Sequence, residues 1–126
     1  METLKKNKME FNNLNWHDSI IKRLIVDREN PGREDVISIE IVWPDGKKNV
    51  LSFIDVYWAQ LNLNFGIICE ESIYDAHCER RENEIVKEVY SKWGGMINDI
   101  ELNYYEIETN STSSKIMIIS QGFKLQ

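Results

Sequence analysis

Two histidines, two cysteines and two prolines are all that the 126 residues contain. So few cysteines exclude a disulfide framework, and Cys69 and Cys78 read as free thiols of a reducing compartment. The longest purely apolar runs are only a few residues, too short for a membrane-crossing helix. The sequence has no phosphate-cradling glycine loop, Cys-x-x-Cys pair, His-Glu-x-x-His helix or Gly-x-Ser-x-Gly elbow, which removes the commonest signatures of nucleotide, zinc and hydrolase chemistry. Cys69, His77 and Cys78 are the only zinc candidates, but His77 and Cys78 are neighbours on a strand and diverge. Buried thiols and a surface imidazole are expected, with no metal and no cofactor.

The residues that are abundant describe a small globular domain. Hydrophobic residues make up 42% and charged residues 29%, enough apolar surface to argue against disorder. Fifteen basic and 21 acidic residues leave a net charge of −6, which disfavours attraction to nucleic acid or anionic membrane. A basic partner would be drawn in. The N-terminus, Met1-Glu2-Thr3-Leu4-Lys5-Lys6-Asn7-Lys8, is basic but runs into Glu10 and Asn12 with no apolar signal region, so a cytoplasmic location is expected.

Strand patterning dominates the chain. Residues 1–13 are expected to form a partly ordered arm that docks through Phe11 and Leu14. Ile20 to Asp27 is dense in branched aliphatics before the Asn30-Pro31-Gly32 turn, so a strand is expected there. Ile37, Ile39, Ile41 and Trp43 alternate with Ser38 and Glu40, which gives a half-buried strand antiparallel to the first. Pro44-Asp45-Gly46-Lys47 is a hairpin turn. A third strand starts near Asn49, and the hydrophobic phase must be reset between Asp55 and Gln60, so a bulge or bend is expected there. The alternation of Leu61, Leu63 and Phe65 suggests that pairing resumes before Gly66.

Ile67 to Cys78 is expected to be a short extended piece, a corner at Glu70 to Ser72, and a strand. Six acids against two bases between Glu70 and Glu84 make this the most acidic segment. Ile85, Val89 and Trp93 recur every fourth residue, with Val86 and Tyr90 beside them, so one helix is expected, capped by Asn83 and stopped by Gly94-Gly95. Asp99 to Glu108 and Lys115 to Ser120 then form a hairpin about the polar turn Asn110 to Ser114. The fold class expected is α+β: one domain, 1–126, mainly an antiparallel sheet of about six strands with one helix on a face. Ile39, Ile41, Phe53, Leu63, Val89, Trp93, Ile116 and Ile118 are expected in its core.

The compact knot Asn15-Trp16-His17-Asp18-Ser19 precedes the first strand. His17 and Asp18 are the outside candidates for acid, base or ligand chemistry. The favoured reading gives Asp18 the local role of accepting backbone N–H bonds and fixing a turn, because neighbours on a strand point to opposite faces. Carboxylate pairs such as Asp18 with Asp55, or Glu70 with Asp75, have no predicted separation in space. No residue is assigned a catalytic role.

Trp16-His17-Asp18-Ser19 with its ensuing strand, Leu51-Ser52-Phe53, Leu63-Asn64-Phe65-Gly66 and the Thr/Ser-rich turn before Ile116-Met117-Ile118-Ile119 together resemble small bacterial proteins of the immunity-protein type, encoded beside polymorphic toxins. The resemblance covers most of the chain and carries over no functional residues. It implies a non-enzymatic protein that neutralises a partner, such as a basic toxin, by binding. An acidic exterior with exposed aromatics suits such a binder, since charge speeds encounter and aromatics supply the energetic centre. Tyr57, Trp58, Glu70, Glu71, Tyr74 and Asp75 are the partner-binding candidates, with Tyr105 a further exposed aromatic. The alternatives are a structural domain that self-associates through a sheet edge, as monomer or homodimer, and a small enzyme centred on His17 and Asp18.

Overall fold

The computed structural model describes residues 10–126. Most of the expected N-terminal arm therefore lies outside the described residues. Six strands follow a short helical turn at residues 10–12: β1 (Ile20–Asp27), β2 (Val36–Val42), β3 (Lys48–Asn62), β4 (Glu71–Glu79), β5 (Asn103–Thr109) and β6 (Lys115–Leu125). One helix, α1 (Glu84–Lys92), sits between β4 and β5. Every pairing is antiparallel, and the order β1-β2-β3-β6-β5-β4 closes on itself as a barrel. The α+β class, the six strands and the helix on one face are as the patterning predicts. Closure into a barrel is the added feature.

Alternation decides what lies inside. On β2, Ile37, Ile39 and Ile41 are buried while Val36, Ser38, Glu40 and Val42 are half-buried, as period two requires. Leu51 and Phe53 of β3, Ile73, Ala76 and Cys78 of β4, Tyr105 and Ile107 of β5, and Ile116 and Ile118 of β6 complete the interior. Phe11 fills the centre: its ring lies 4.6 Å from Trp16, 4.8 Å from Tyr105 and 5.4 Å from Phe123. A second apolar layer forms outside the barrel, where Val86 and Val89 of α1 pack with Ile97, Leu102, Tyr104 and Ile119. The outer face is thus covered at Tyr104 of β5 and at Met117 and Ile119 of β6, which explains why Ile116 to Ile119 are apolar in succession.

The closure is thin at one place. β1 and β4 pair only at Ile20 with Ser72 and Ile21 with Glu71. The N-terminal segment stitches the rest of the seam. Cys78 N–H donates to Asn12 Oδ1 at 2.7 Å, Asp18 N–H to the Ile73 carbonyl at 2.9 Å, and Ile73 N–H to the Ser19 carbonyl at 2.7 Å. Phe11 therefore does more than dock: it fills the core behind this seam.

Two expected core residues are exposed. Leu63 is 40% exposed, because the strand ends at Asn62 and Asn64 ties the chain to the β5–β6 turn instead: its N–H donates to Ser114 Oγ and its Nδ2 to the Thr112 and Ser113 carbonyls. Trp93 is 45% exposed, because α1 ends at Lys92 and Trp93 is its C-cap, beyond the turns that face the sheet. Tyr105, expected outside, is buried in the barrel. The segment from Asp99 to Leu102 is not strand either. Tyr90 Oη donates to the Ile100 carbonyl and accepts from Leu102 N–H, and Arg81 Nη2 donates to the Asn98 carbonyl, so side chains satisfy this backbone.

Candidate functional site

The bulge expected between Asp55 and Gln60 forms, and a cleft lies beside it. β3 slips in register against β6 between Val56 and Trp58, so Val56 faces Ser120 and Trp58 faces Ile119 with Tyr57 as the extra residue. Asp55 enters the bulge with φ of 54°, a left-handed conformation that costs most residues with a Cβ about 1 kcal/mol or more and Asp or Asn less. Val56 N–H is held by the Asp35 carbonyl at 2.9 Å. The phase change brings Tyr57 and Trp58 to one place.

That place is a cleft of about 520 Å³ between the β1–β2 turn, the bulge and the end of α1. Its walls include Asp27, Arg28, Asp35, Asp55, Tyr57, Trp58 and Trp93. α1 delivers Trp93: Asn83 caps the helix by accepting from Ile85 and Val86 N–H, and the C-cap residue then meets Tyr57 edge-on at 5.7 Å. Two of these three acids have internal partners. Asp27 Oδ1 accepts from Glu29 N–H at 3.0 Å, and Asp35 takes Gly32 N–H at 2.9 Å with Arg28 Nε at 3.4 Å. The half-buried Asp55 carboxylate has no hydrogen bond or ion pair among the described residues.

The six partner-binding candidates separate into three locations. Tyr57 and Trp58 line the cleft. Glu70 and Glu71 are engaged near the start of β4: Glu70 pairs with Lys22 and its carbonyl accepts from Ser111 Oγ at 2.6 Å, while Glu71 accepts from Thr112 Oγ1. Tyr74 and Asp75 stand exposed on β4 at a register shift between Ile73 and Asp75, with Tyr74 beside His17.

His17 and Asp18 lie in the turn before β1, not on the strand, so their side chains meet rather than diverge. His17 Nε2 is 3.7 Å from Asp18 Oδ1, and the side chains are 68% and 70% exposed. His17 Nδ1 is 3.0 Å from the Tyr74 carbonyl, which can only accept, so Nδ1 is the donor of that bond. Asp18 fixes the turn through its backbone, with φ of 68° and its N–H on Ile73, where a carboxylate-to-backbone bond was the expectation. This pair fastens the seam.

Of the zinc candidates, Cys69 is exposed in the β3–β4 loop, Cys78 is buried, and His77 Nε2 is bonded to Glu79 at 2.8 Å. Among the described residues no three His, Cys, Asp or Glu side chains are grouped to hold a metal ion. No described helix is long and apolar enough to cross a membrane.

Sequence reasoning missed Asp27, Asp35 and Trp93 as cleft residues, since only the fold joins them. It also missed the loop before β4, where Phe65 is 85% exposed and Ile68 fully so. The signal for the loop was present as adjacent apolar residues next to Gly66, but alternation hid it. Compared with protein-family models and with curated protein sequences, the chain matches none.

Proposed function

We propose that this chain is a non-catalytic binding protein that engages a basic protein partner through the cleft at the β3 bulge, in the manner of an immunity-type inhibitor. One observation carries the reading: a half-buried carboxylate, Asp55, with no hydrogen bond or ion pair among the described residues, lines a cleft together with Tyr57, Trp58 and Trp93. Aromatics in a cleft supply contact area at low entropic cost, and the net charge of −6 steers a basic partner toward the surface. The solvated His17–Asp18 pair, with Nδ1 bonded to Tyr74, supports a fastening role rather than chemistry.

The experiment is capture with the tagged full chain from cells that encode it, identification of the protein retained, and titration of the purified pair. A basic protein that binds at one-to-one stoichiometry, loses activity on binding, and binds at least tenfold more weakly to Trp58→Ala would support the reading, tenfold being about 1.4 kcal/mol. Equal binding by Tyr57→Ala, Trp58→Ala and wild type would overturn the cleft as the interface.

A second reading has one specific observation behind it. β1 pairs with β4 only at its first two residues, so among the described residues Lys22 to Asp27 have no strand on that side, and Ile25 and Val26 are exposed. Pairing of β1 edges between two copies would cover them. A mass that doubles with concentration in light scattering, and reverts in Val26→Lys, would favour this homodimer.

A further inference from the structure

The cleft at the bulge has the chemistry of a cation site, and the kind of cation can be narrowed. Among the described residues three acids and one base line it, so the field of these groups attracts positive charge. Asp27 and Asp35 each hold a backbone N–H and Arg28 pairs with Asp35, whereas Asp55 is the cleft carboxylate with no hydrogen bond or ion pair among the described residues. Tyr57, Trp58 and Trp93 stand around the same space, and aromatic faces attract cations through their quadrupole. A planar guanidinium stacks on such faces and forks onto a carboxylate, whereas an ammonium is compact and strongly hydrated. Asp35 on the same wall already pairs with a guanidinium, that of the largely exposed Arg28, at 3.4 Å. A volume of about 520 Å³ admits a whole side chain of that length.

We propose that the cleft is the receptor for an arginine side chain of the partner, held by the Asp55 carboxylate and stacked against Trp58 and Trp93. This rests on the binding reading above and names the group recognised.

The test follows the indole N–H resonances of the full chain during titration with N-acetylarginine methylamide. The protein carries its own controls. Trp16 donates to the Phe11 carbonyl at 2.6 Å and Trp43 to Asn49 Oδ1 at 2.7 Å, both inside the fold, so their signals should stay in place. Trp58 and Trp93 should shift and saturate. The citrulline counterpart, which keeps the shape without the charge, should leave them unmoved. Asp55→Asn, isosteric and tolerant of left-handed backbone, should weaken the arginine response about tenfold. Absence of a saturable shift, an equal response to citrulline, a stronger response to the lysine counterpart, or an unchanged response in Asp55→Asn would each overturn the assignment. If the arginine probe fails while the captured partner still requires Trp58, the binding reading stands and only the guanidinium falls.

Discussion

Asn12 and Cys78 face each other across the barrel seam, where one asparagine side chain stands in for a strand: Cys78 N–H donates to Asn12 Oδ1 at 2.7 Å, and Asn12 Nδ2 reaches back to the Cys78 carbonyl at 3.5 Å. The seam exists because β1 leaves β4 after two residue pairs. Asn12→Ala removes the bond from the Cys78 amide to Asn12 Oδ1 and should cost about 1–3 kcal/mol in urea denaturation. Amide exchange at Cys78 should accelerate, while exchange on β2 follows only the global loss.

Phe11 is the segment's largest contribution, wholly buried among Trp16, Phe53, Tyr105 and Phe123. Phe11→Ala should lower stability by about 3–5 kcal/mol through lost burial and the cavity left. Ile118→Ala, on β6 at the barrel centre, should cost about 2–5 kcal/mol. Leu63→Ala should stay within about 0.5 kcal/mol of wild type, since the side chain is exposed. Calorimetric melting of the three variants checks the order.

Tyr104 makes stability fall at alkaline pH. Burial, and then the hydrogen bond and charge of Glu106, with Glu79 adding, push its phenol above the ordinary value of 10.0. The folded protein keeps the proton at pH values where the unfolded chain releases it, so the contribution is full below pH 10.0 and is lost as pH rises beyond it. Tyr104→Phe should be less stable than wild type at neutral pH by about 1 kcal/mol and show a shallower decline above pH 10.0. Denaturation midpoints across that range measure both.

How much was legible in the sequence depended on whether local pattern and tertiary contact agreed. β2 was readable because Ile37, Ile39 and Ile41 alternate without interruption, and the bulge because Asp55 breaks the phase of an apolar run. Leu63 misled because alternation continues past the point where Asn64 turns the backbone onto the β5–β6 turn. Trp93 misled because helical period says nothing about where a helix ends, and this one ends a residue earlier. Asp99 to Leu102 looked like strand but has its backbone satisfied by Tyr90 and Arg81, residues about ten to twenty positions away. Of the site, Tyr57 and Trp58 were legible as aromatics beside a break. Asp35 and Trp93 join them only once the barrel closes and α1 packs.

Asp55 is where stability and binding oppose each other most directly. Glycine at this position relieves the left-handed strain and removes a carboxylate that has no partner among the described residues, so thermal unfolding of Asp55→Gly should move up, by about 0.5–1 kcal/mol of stability. The same variant, titrated with N-acetylarginine methylamide, should no longer shift the Trp58 indole. A variant that melts lower and still gives the wild-type shift would contradict the account, because Asp55 would then belong to the fold and not to the site.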